Sequence, residues 1–491
     1  MSGLFGIVTK ENCAESLFYG VDYHSHLGTA YGGIAILGNE FHRQIHNISQ
    51  SQFKSKFYDC CLDIKGNKGI GAISAFDEQP IYLKSRLGPF CVVMNGRIEN
   101  MDELVLKLLS EGISFSEVSK NPVNATELIA KLITQGVDIT HGIKKMFSLI
   151  KGSCSLLLIS KEGIYAARDK SGHTPLILVK SKSGWAVTTE TCAFHNIDFD
   201  VERDLLPGEI VLISENGIRQ LEKGDKNNQI CSFLWIYTGF PASNYEGINA
   251  EIVRERCGRF LAKQDKGLEV DLVSGVPDSG IAHAQGYAME SKVPLRRALV
   301  KYTPGYGRSY IPPSQKTRDL VAKMKLIAIE DVVKGNRIVL CEDSIVRGTQ
   351  LKNFTVHKLW KSGAKEVHVR PACPPLMFPC KYNLSTRNIN ELASRKAIRA
   401  IEGKDIKDVS EYVDHTTEKY AKMVEWIRND LNVTSLRYQR LDDMIEAIGL
   451  PKEKLCLYCW AGKNCQIGEC SRKGKAVVSK YDLFDNVERN I

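Results

Sequence analysis

Residues Arg337 to Leu351, reading RIVLCEDSIVRGTQL, restrict the fold more than any other stretch of the chain. Ile338-Val339-Leu340-Cys341 is a short apolar run, the pattern of a strand buried on both faces of a parallel sheet. Glu342 and Asp343 follow at the strand's carboxyl end. A turn containing Ser344, Arg347, Gly348 and Thr349 then leads into Leu351, Val356, Leu359 and Trp360 at helical spacing. A strand, loop and helix in that order aim free backbone N–H groups and a helix N-terminus at an anion, so the loop is expected to hold a phosphate. Two carboxylates beside it can accept hydrogen bonds from a ribose diol and lie close to a bound divalent cation. A sugar phosphate therefore fits better than a nucleoside triphosphate, and the absence of G-x-x-x-x-G-K-[ST] excludes a Walker loop. The plainer alternative is a strand-to-helix turn whose acids are solvated. Against it stands the coincidence of apolar run, acid pair, hydroxyls and Gly-Thr at the place where open α/β sheets bind ligands.

CEDSIVRGT resembles the phosphoribosyl pyrophosphate (PRPP) signature of type I phosphoribosyltransferases. Its DSIVRGT form is similar to that of the amidophosphoribosyltransferase family, the glutamine-dependent enzymes that open purine synthesis. The resemblance implies a doubly wound parallel-sheet domain over 231–455. It implies Mg2+ among Ser279, Glu342 and Asp343, and PRPP held by Ser344, Arg347, Gly348, Thr349 and Lys325.

At 491 residues the chain is too long for one core and suggests two or more domains. Its 43% hydrophobic and 25% charged residues are those of a globular protein. The net charge of +9 is spread along the chain without a basic block interleaved with aromatics, so an anionic substrate explains it and a nucleic-acid partner is not expected. No basic region precedes a long apolar segment at the N-terminus and no run has the apolar length of a membrane span, so a cytoplasmic protein is expected. Fifteen cysteines without a secretory signal then point to core thiols and a metal site rather than disulfides.

Residues 1–230 read as short strands, among them Phe5–Val8, Gly33–Leu37, Pro89–Met94, Ser155–Ile159 and Glu209–Ile213. Helical spacing appears at Glu103–Leu109 and Thr126–Ile133. Alone this says α+β. SGLFGI at the N-terminus, MNG at 94–96, ATELI at 125–129 and TETCAF at 189–194 are similar, in order and spacing, to the family's glutaminase domain, an N-terminal nucleophile αββα fold. In the family the nucleophile is the N-terminal Cys of CGxFGI, with its α-amine as base. Here removal of Met1 would expose Ser2, whose hydroxyl is far less ionised than a thiol at neutral pH. Asn95 and Gly96, the oxyanion hole implied by the resemblance, remain. The family's His-Arg-Gly is His26-Leu27-Gly28, its arginine-bearing H-V-R-Y-A-T is Ala72-Ile73-Ser74-Ala75, and the acid before Thr-Glu is Ala125. A pocket without these charges is not expected to hold the glutamine zwitterion. Ser2 is thus a degenerate nucleophile position.

KGDKNNQ, ending at Gln229, reads as a polar linker into the aromatic segment CSFLWIYTGFPAS. Beyond it strands and helices alternate. Asp271–Ser274 is a strand, and Gly275–Ser279 is a turn whose backbone can approach pyrophosphate. Ser279 reads either as a helix N-cap or, as the resemblance implies, as a partner of the acid pair. The basic, proline-bearing segment Tyr302–Lys325 resembles the family's mobile lid over PRPP. Glu366–Arg370 is a further strand, and a helix is expected over Thr434–Gly449.

Residues 456–491 form a cysteine-rich C-terminal segment, with Cys456, Cys459, Cys465 and Cys470. Cys231, Cys380, Cys456 and Cys459 match the four ligands of the family's iron-sulfur branch, which implies a 4Fe-4S cluster of structural role; spacing alone suits zinc equally. The expectation is transfer of phosphoribosyl from Mg-PRPP to ammonia, free or glutamine-derived, by a homo-oligomer, dimer or tetramer. A non-catalytic PRPP-binding paralogue and a transferase using another amine are the rivals.

Overall fold

The computed structural model describes residues 2–28, 30–117, 123–302, 326–383 and 388–462. Lys325, almost all of the lid-like segment, Cys465 and Cys470 fall outside the described residues.

The N-terminal half stacks two antiparallel sheets. The first has seven strands, with Gly3–Thr9 at its centre between Gly184–Thr188 and Lys68–Ser74. The second has six, with Gly88–Ile98 paired to Gly152–Ser160 and Ile81–Ser85. Side chains alternate along a strand, so Gly3–Thr9 serves two cores. Leu4 and Val8 meet Val93 and Leu157 between the sheets, while Phe5 and Ile7 pack with Leu17 and Phe57 of the helices Ala14–Asp22 and Phe53–Leu62. Val92 and Met94 pack outward on the helices Ala125–Ile133 and Ile139–Leu149. The layers are therefore helix, sheet, sheet, helix, the αββα order expected from the sequence.

The C-terminal half carries a four-stranded parallel sheet in the order Leu272–Gly275, Arg337–Glu342, Glu366–Pro371, Ser435–Leu436. Leu272, Ile338, Leu340, Val367 and Val369 belong to one core, with Ile398, Met423 and Ile427 from the helices Ala393–Glu402 and Glu418–Leu431. Val273, Val339 and Cys341 belong to the other, with Val253, Leu261, Ala284 and Met444. Helices on both faces explain why Ile338–Cys341 is apolar without interruption. Truncating fully buried Leu340 to Ala would cost about 2–5 kcal/mol.

One expected element differs. Thr434–Gly449 is not a single helix: Ser435–Leu436 joins the sheet beside His368 and Val369, and the helix runs only over Leu441–Ile448. The Thr434 N–H donates to Val367 O at 2.8 Å, so sheet pairing captures the backbone that helix propensity would have used. A short parallel ladder pairs Ile230–Cys231 with Leu455–Cys456 and joins the chain's middle to its distal end. Among the described residues no helix is long and apolar enough to cross a membrane.

Candidate active sites and cysteine centre

The acid pair stands where the central parallel strand ends. Ser279 Oγ donates to Glu342 Oε1 at 3.0 Å, and Ser344 Oγ donates to Asp343 Oδ2 at 2.6 Å. The helix after the 275–280 turn begins at Ile281, preceded by Gly280 and without a side-chain cap, so Ser279 serves the acids rather than the helix. That turn lies against the strand end: Val276 N–H donates to Cys341 O at 3.0 Å. A Cβ on Gly280 would sit 2.2 Å from the same oxygen, which leaves room for glycine alone. Burial, and then the Asp343 charge, hold the Glu342 carboxyl well above the usual range. Two mutually repelling carboxylates, one of them reluctant to ionise, are relieved by a cation placed between them.

The loop that follows turns through Gly348 at φ +78°, a left-handed conformation natural to glycine. Arg347 and Thr349 are exposed on it. Arg347 Nη2 reaches Glu391 Oε2 at 2.5 Å, and Ala393 N–H donates to Val346 O at 2.8 Å, so the 389–393 segment backs the loop. Ser279, Glu342, Asp343, Ser344, Arg347, Gly348 and Thr349 thus share the carboxyl end of one sheet.

A second constellation lies in the N-terminal half. Ser2 N donates to Asn95 Oδ1 at 3.0 Å, and Gly96 follows at φ +150°. A Cβ on Gly96 would meet Ser153 O at 2.0 Å, so the neighbouring strand demands glycine. Sequence reasoning missed Gln79, a polar residue before a proline with no distinguishing pattern. Its Nε2 donates to Ser2 Oγ at 3.3 Å and to Met94 O at 3.1 Å, while its Oε1 accepts from Met94 N at 2.7 Å. Ser74 is buried and accepts from Phe76 N and Asp77 N at 3.3 and 3.1 Å, a turn-closing task. Ala125 merely opens a helix capped by Asn124.

Also missed was the junction carboxylate Glu190, which is buried and takes His26 Nε2 at 2.8 Å, Tyr245 OH at 2.6 Å and Ser243 Oγ at 3.3 Å. Burial alone would raise its carboxyl, but the His26 ring and its other partners more than offset this and hold it below the usual range.

Cys231, Cys380, Cys456 and Cys459 line one cavity of about 20 Å³ together with His173, Tyr382, Tyr458 and Trp460. The Cys459 thiol donates toward Cys380, and this bond, helped by the N–H groups of Tyr382 and Asn383, holds Cys380 below the ordinary thiol range against its burial. Burial pushes Cys231 up to about 12, and the Cys380 charge adds to it. Every pair among the four feels the others electrostatically. Among the described residues no group of three or more His, Cys, Asp or Glu is placed to hold a single metal ion; the thiols share a cavity rather than converge on a point. Arg97 Nη1 donates to Cys380 O at 2.6 Å and Cys231 N to His173 O at 3.3 Å, tying the cavity to the N-terminal half.

An N-terminal amidotransferase-type sandwich joined to a parallel-sheet domain with an acid pair and anion loop defines a two-part transferase. Residues 70–196 match the glutamine amidotransferase domain family. The chain is 31% identical to the amidophosphoribosyltransferase of Methanocaldococcus jannaschii, over 94% of this chain and 97% of that protein. It is 30% identical to that of Bacillus subtilis, over 94% and 93%. The B. subtilis glutamine PRPP amidotransferase, solved with ADP and GMP, superposes with a TM-score of 0.80 at 29% identity, covering 96% of this chain and 99% of that one. The chain belongs to the amidophosphoribosyltransferase family.

Proposed function

We propose that the chain transfers phosphoribosyl from Mg-bound PRPP to ammonia, giving phosphoribosylamine and pyrophosphate, the first step of purine nucleotide biosynthesis, and that its amidotransferase half does not hydrolyse free glutamine. The observation that carries the reading is the contrast in charge: Ser279 donates to Glu342 beside Asp343 at the sheet's carboxyl end, while the side chain bonded to Ser2 Oγ is the neutral amide of Gln79. Glu342 and Asp343 would receive the ribose hydroxyls and hold Mg2+, which when bound neutralises charge on the departing pyrophosphate. Backbone N–H groups and hydroxyls from Ser344 to Thr349, with Arg347 and Lys325, hold the 5′-phosphate. Positioning and charge stabilisation suffice, and no protein nucleophile is required.

Asn95 and Gly96 keep the form of an oxyanion hole beside Ser2. The positions where the resemblance places a cation for the substrate carboxylate and an acid for its amino group are Ala72-Ile73-Ser74-Ala75 and Ala125, so on this reading free glutamine is not held there. Ammonia comes free from solution or from a partner.

The four cysteines fit a 4Fe-4S cluster: the donor set is all thiol, drawn from distant parts of the chain, and mutually coupled. When bound, the cluster would cross-link the segments that carry its ligands. The proposed division is 1–230, 231–455 and 456–491, with the Ile230–Cys231 ladder to Leu455–Cys456 tying the three segments together across both boundaries. A homo-oligomer, dimer or tetramer, in the cytoplasm completes the proposal.

The test is pyrophosphate release from Mg-PRPP by anaerobically purified protein, with ammonium or glutamine as sole nitrogen source. Release with ammonium alone is expected. Equal release with glutamine overturns the amidotransferase reading, and silence with both from protein that still binds PRPP points to a regulatory paralogue or another amine.

A further inference from the structure

His173 lines the same cavity as Cys231, Cys380, Cys456 and Cys459. It is only 4% exposed, and neither of its ring nitrogens has a hydrogen-bond partner. Asp169 Oδ1 stands 3.8 Å from Nδ1, beyond hydrogen-bond reach. Asp169 is occupied elsewhere: Oδ1 accepts from Ser171 N and His173 N at 3.1 and 3.3 Å, and Oδ2 from Thr174 N and Ser155 Oγ at 3.1 and 3.3 Å. Those bonds fix the turn on which His173 rides, and the ring is stacked on Tyr382 with centroids 3.8 Å apart. Its backbone oxygen accepts from Cys231 N–H, so imidazole and thiol are neighbours by construction.

A buried imidazole carries at least one N–H in either tautomer, and a buried donor without an acceptor costs free energy. Stacking on Tyr382 fixes the ring, so an acceptor placed in the cavity lies within reach of its N–H. A four-thiolate cluster brings negative sulfurs there, and hydrogen bonds to such sulfurs govern how the cluster is held and tuned.

Resting on the cluster reading above, we infer that His173 donates a ring N–H to a sulfur of the iron-sulfur group held by the four cysteines, and that this bond helps to retain the group. It acts as a positioning residue, without ligating iron and without touching PRPP.

The test compares full-length wild type with His173→Leu, which keeps an apolar ring-sized filler but no donor, and His173→Gln, which restores an N–H. Iron and sulfide content are measured after anaerobic reconstitution, then the rate of cluster loss to a chelator from visible absorbance, and the reduction potential. All three proteins are expected to load. Leu should lose the cluster about tenfold faster than wild type, in line with other partners of metal-bound ligands, with a shifted potential, and Gln should recover most of the difference. Wild-type release and potential in the Leu variant overturn the inference alone, as do equal defects in Leu and Gln, which would mark a packing effect. A wild type that takes up neither iron nor sulfide overturns the cluster reading and this inference together.

Discussion

Two constellations of this molecule, the acid pair at the sheet's carboxyl end and the surroundings of Ser2, differ in what their side chains offer. At the carboxyl end of the parallel sheet stand the acid pair, Ser279 bonded to it and the Gly348 turn, the groups to which the proposed function gives the anionic sugar. In the N-terminal half Ser2 N donates to Asn95 and Gly96 is held against Ser153, while the side chains nearby carry structural duties. Ser74 closes a turn and Ala125 starts a helix. Under the proposed function, the fold keeps a pocket's walls for packing reasons after its recognition chemistry is gone.

The sharpest way to break this contrast is to neutralise the acid site. Asp343→Asn removes a buried carboxylate from the proposed sugar site, and is expected to lower kcat/KM for PRPP by roughly 100-fold or more in ammonium-driven pyrophosphate release. If activity survives within a few-fold, the acids are not the sugar site. Gly348→Ala should act through the backbone, because its new Cβ would meet Leu431 Cδ2 at 3.5 Å and Ile345 Cγ2 at 3.9 Å, both ordinary contacts. The left-handed turn is the cost, about 1–2 kcal/mol, which is expected to appear as about a tenfold higher KM for PRPP with kcat less affected.

A smaller effect tests whether charges left in the N-terminal half serve stability alone. Burial, and then the Glu246 charge, raise Asp204 from 3.8 to about 6. Because the folded value lies above the ordinary one, its destabilising effect is absent below pH 3.8 and complete once pH passes through about 6. Asp204→Asn should therefore stabilise the protein by roughly 1–3 kcal/mol at pH 7.5, and lose that advantage as pH falls toward 4, in denaturant titrations run at each pH. The smallest expected change is none: Ser2→Ala should leave ammonium-driven turnover intact, and Ser2→Cys should gain no glutamine use. Substantial glutamine-dependent turnover in Ser2→Cys would show that the pocket retains recognition after all.

Much of this was legible because local chemistry and global position agree. Ile338–Cys341 had to be buried on both faces, and the acids that follow could only face the sheet's carboxyl end. Ser279 was ambiguous because a helix cap and an acid partner use the same hydroxyl; only the helix starting one residue beyond Gly280 decides it. Gln79 left no trace, since its role depends on a strand edge 15 residues away in sequence. The Ile230–Cys231 and Leu455–Cys456 strands are too short to carry periodicity, and Ser435–Leu436 hid within a helical pattern.

That short ladder also imposes an order on the protein's birth. Ser232 Oγ donates to Cys456 O at 2.8 Å across 224 residues of chain. At ribosomal speeds the first partner waits on the order of ten seconds or more for the second. Until then the cavity lacks two of its four thiols, and a chain interrupted before residue 455 can never close it. The cysteine cavity thus closes only in molecules whose synthesis has run past Cys459.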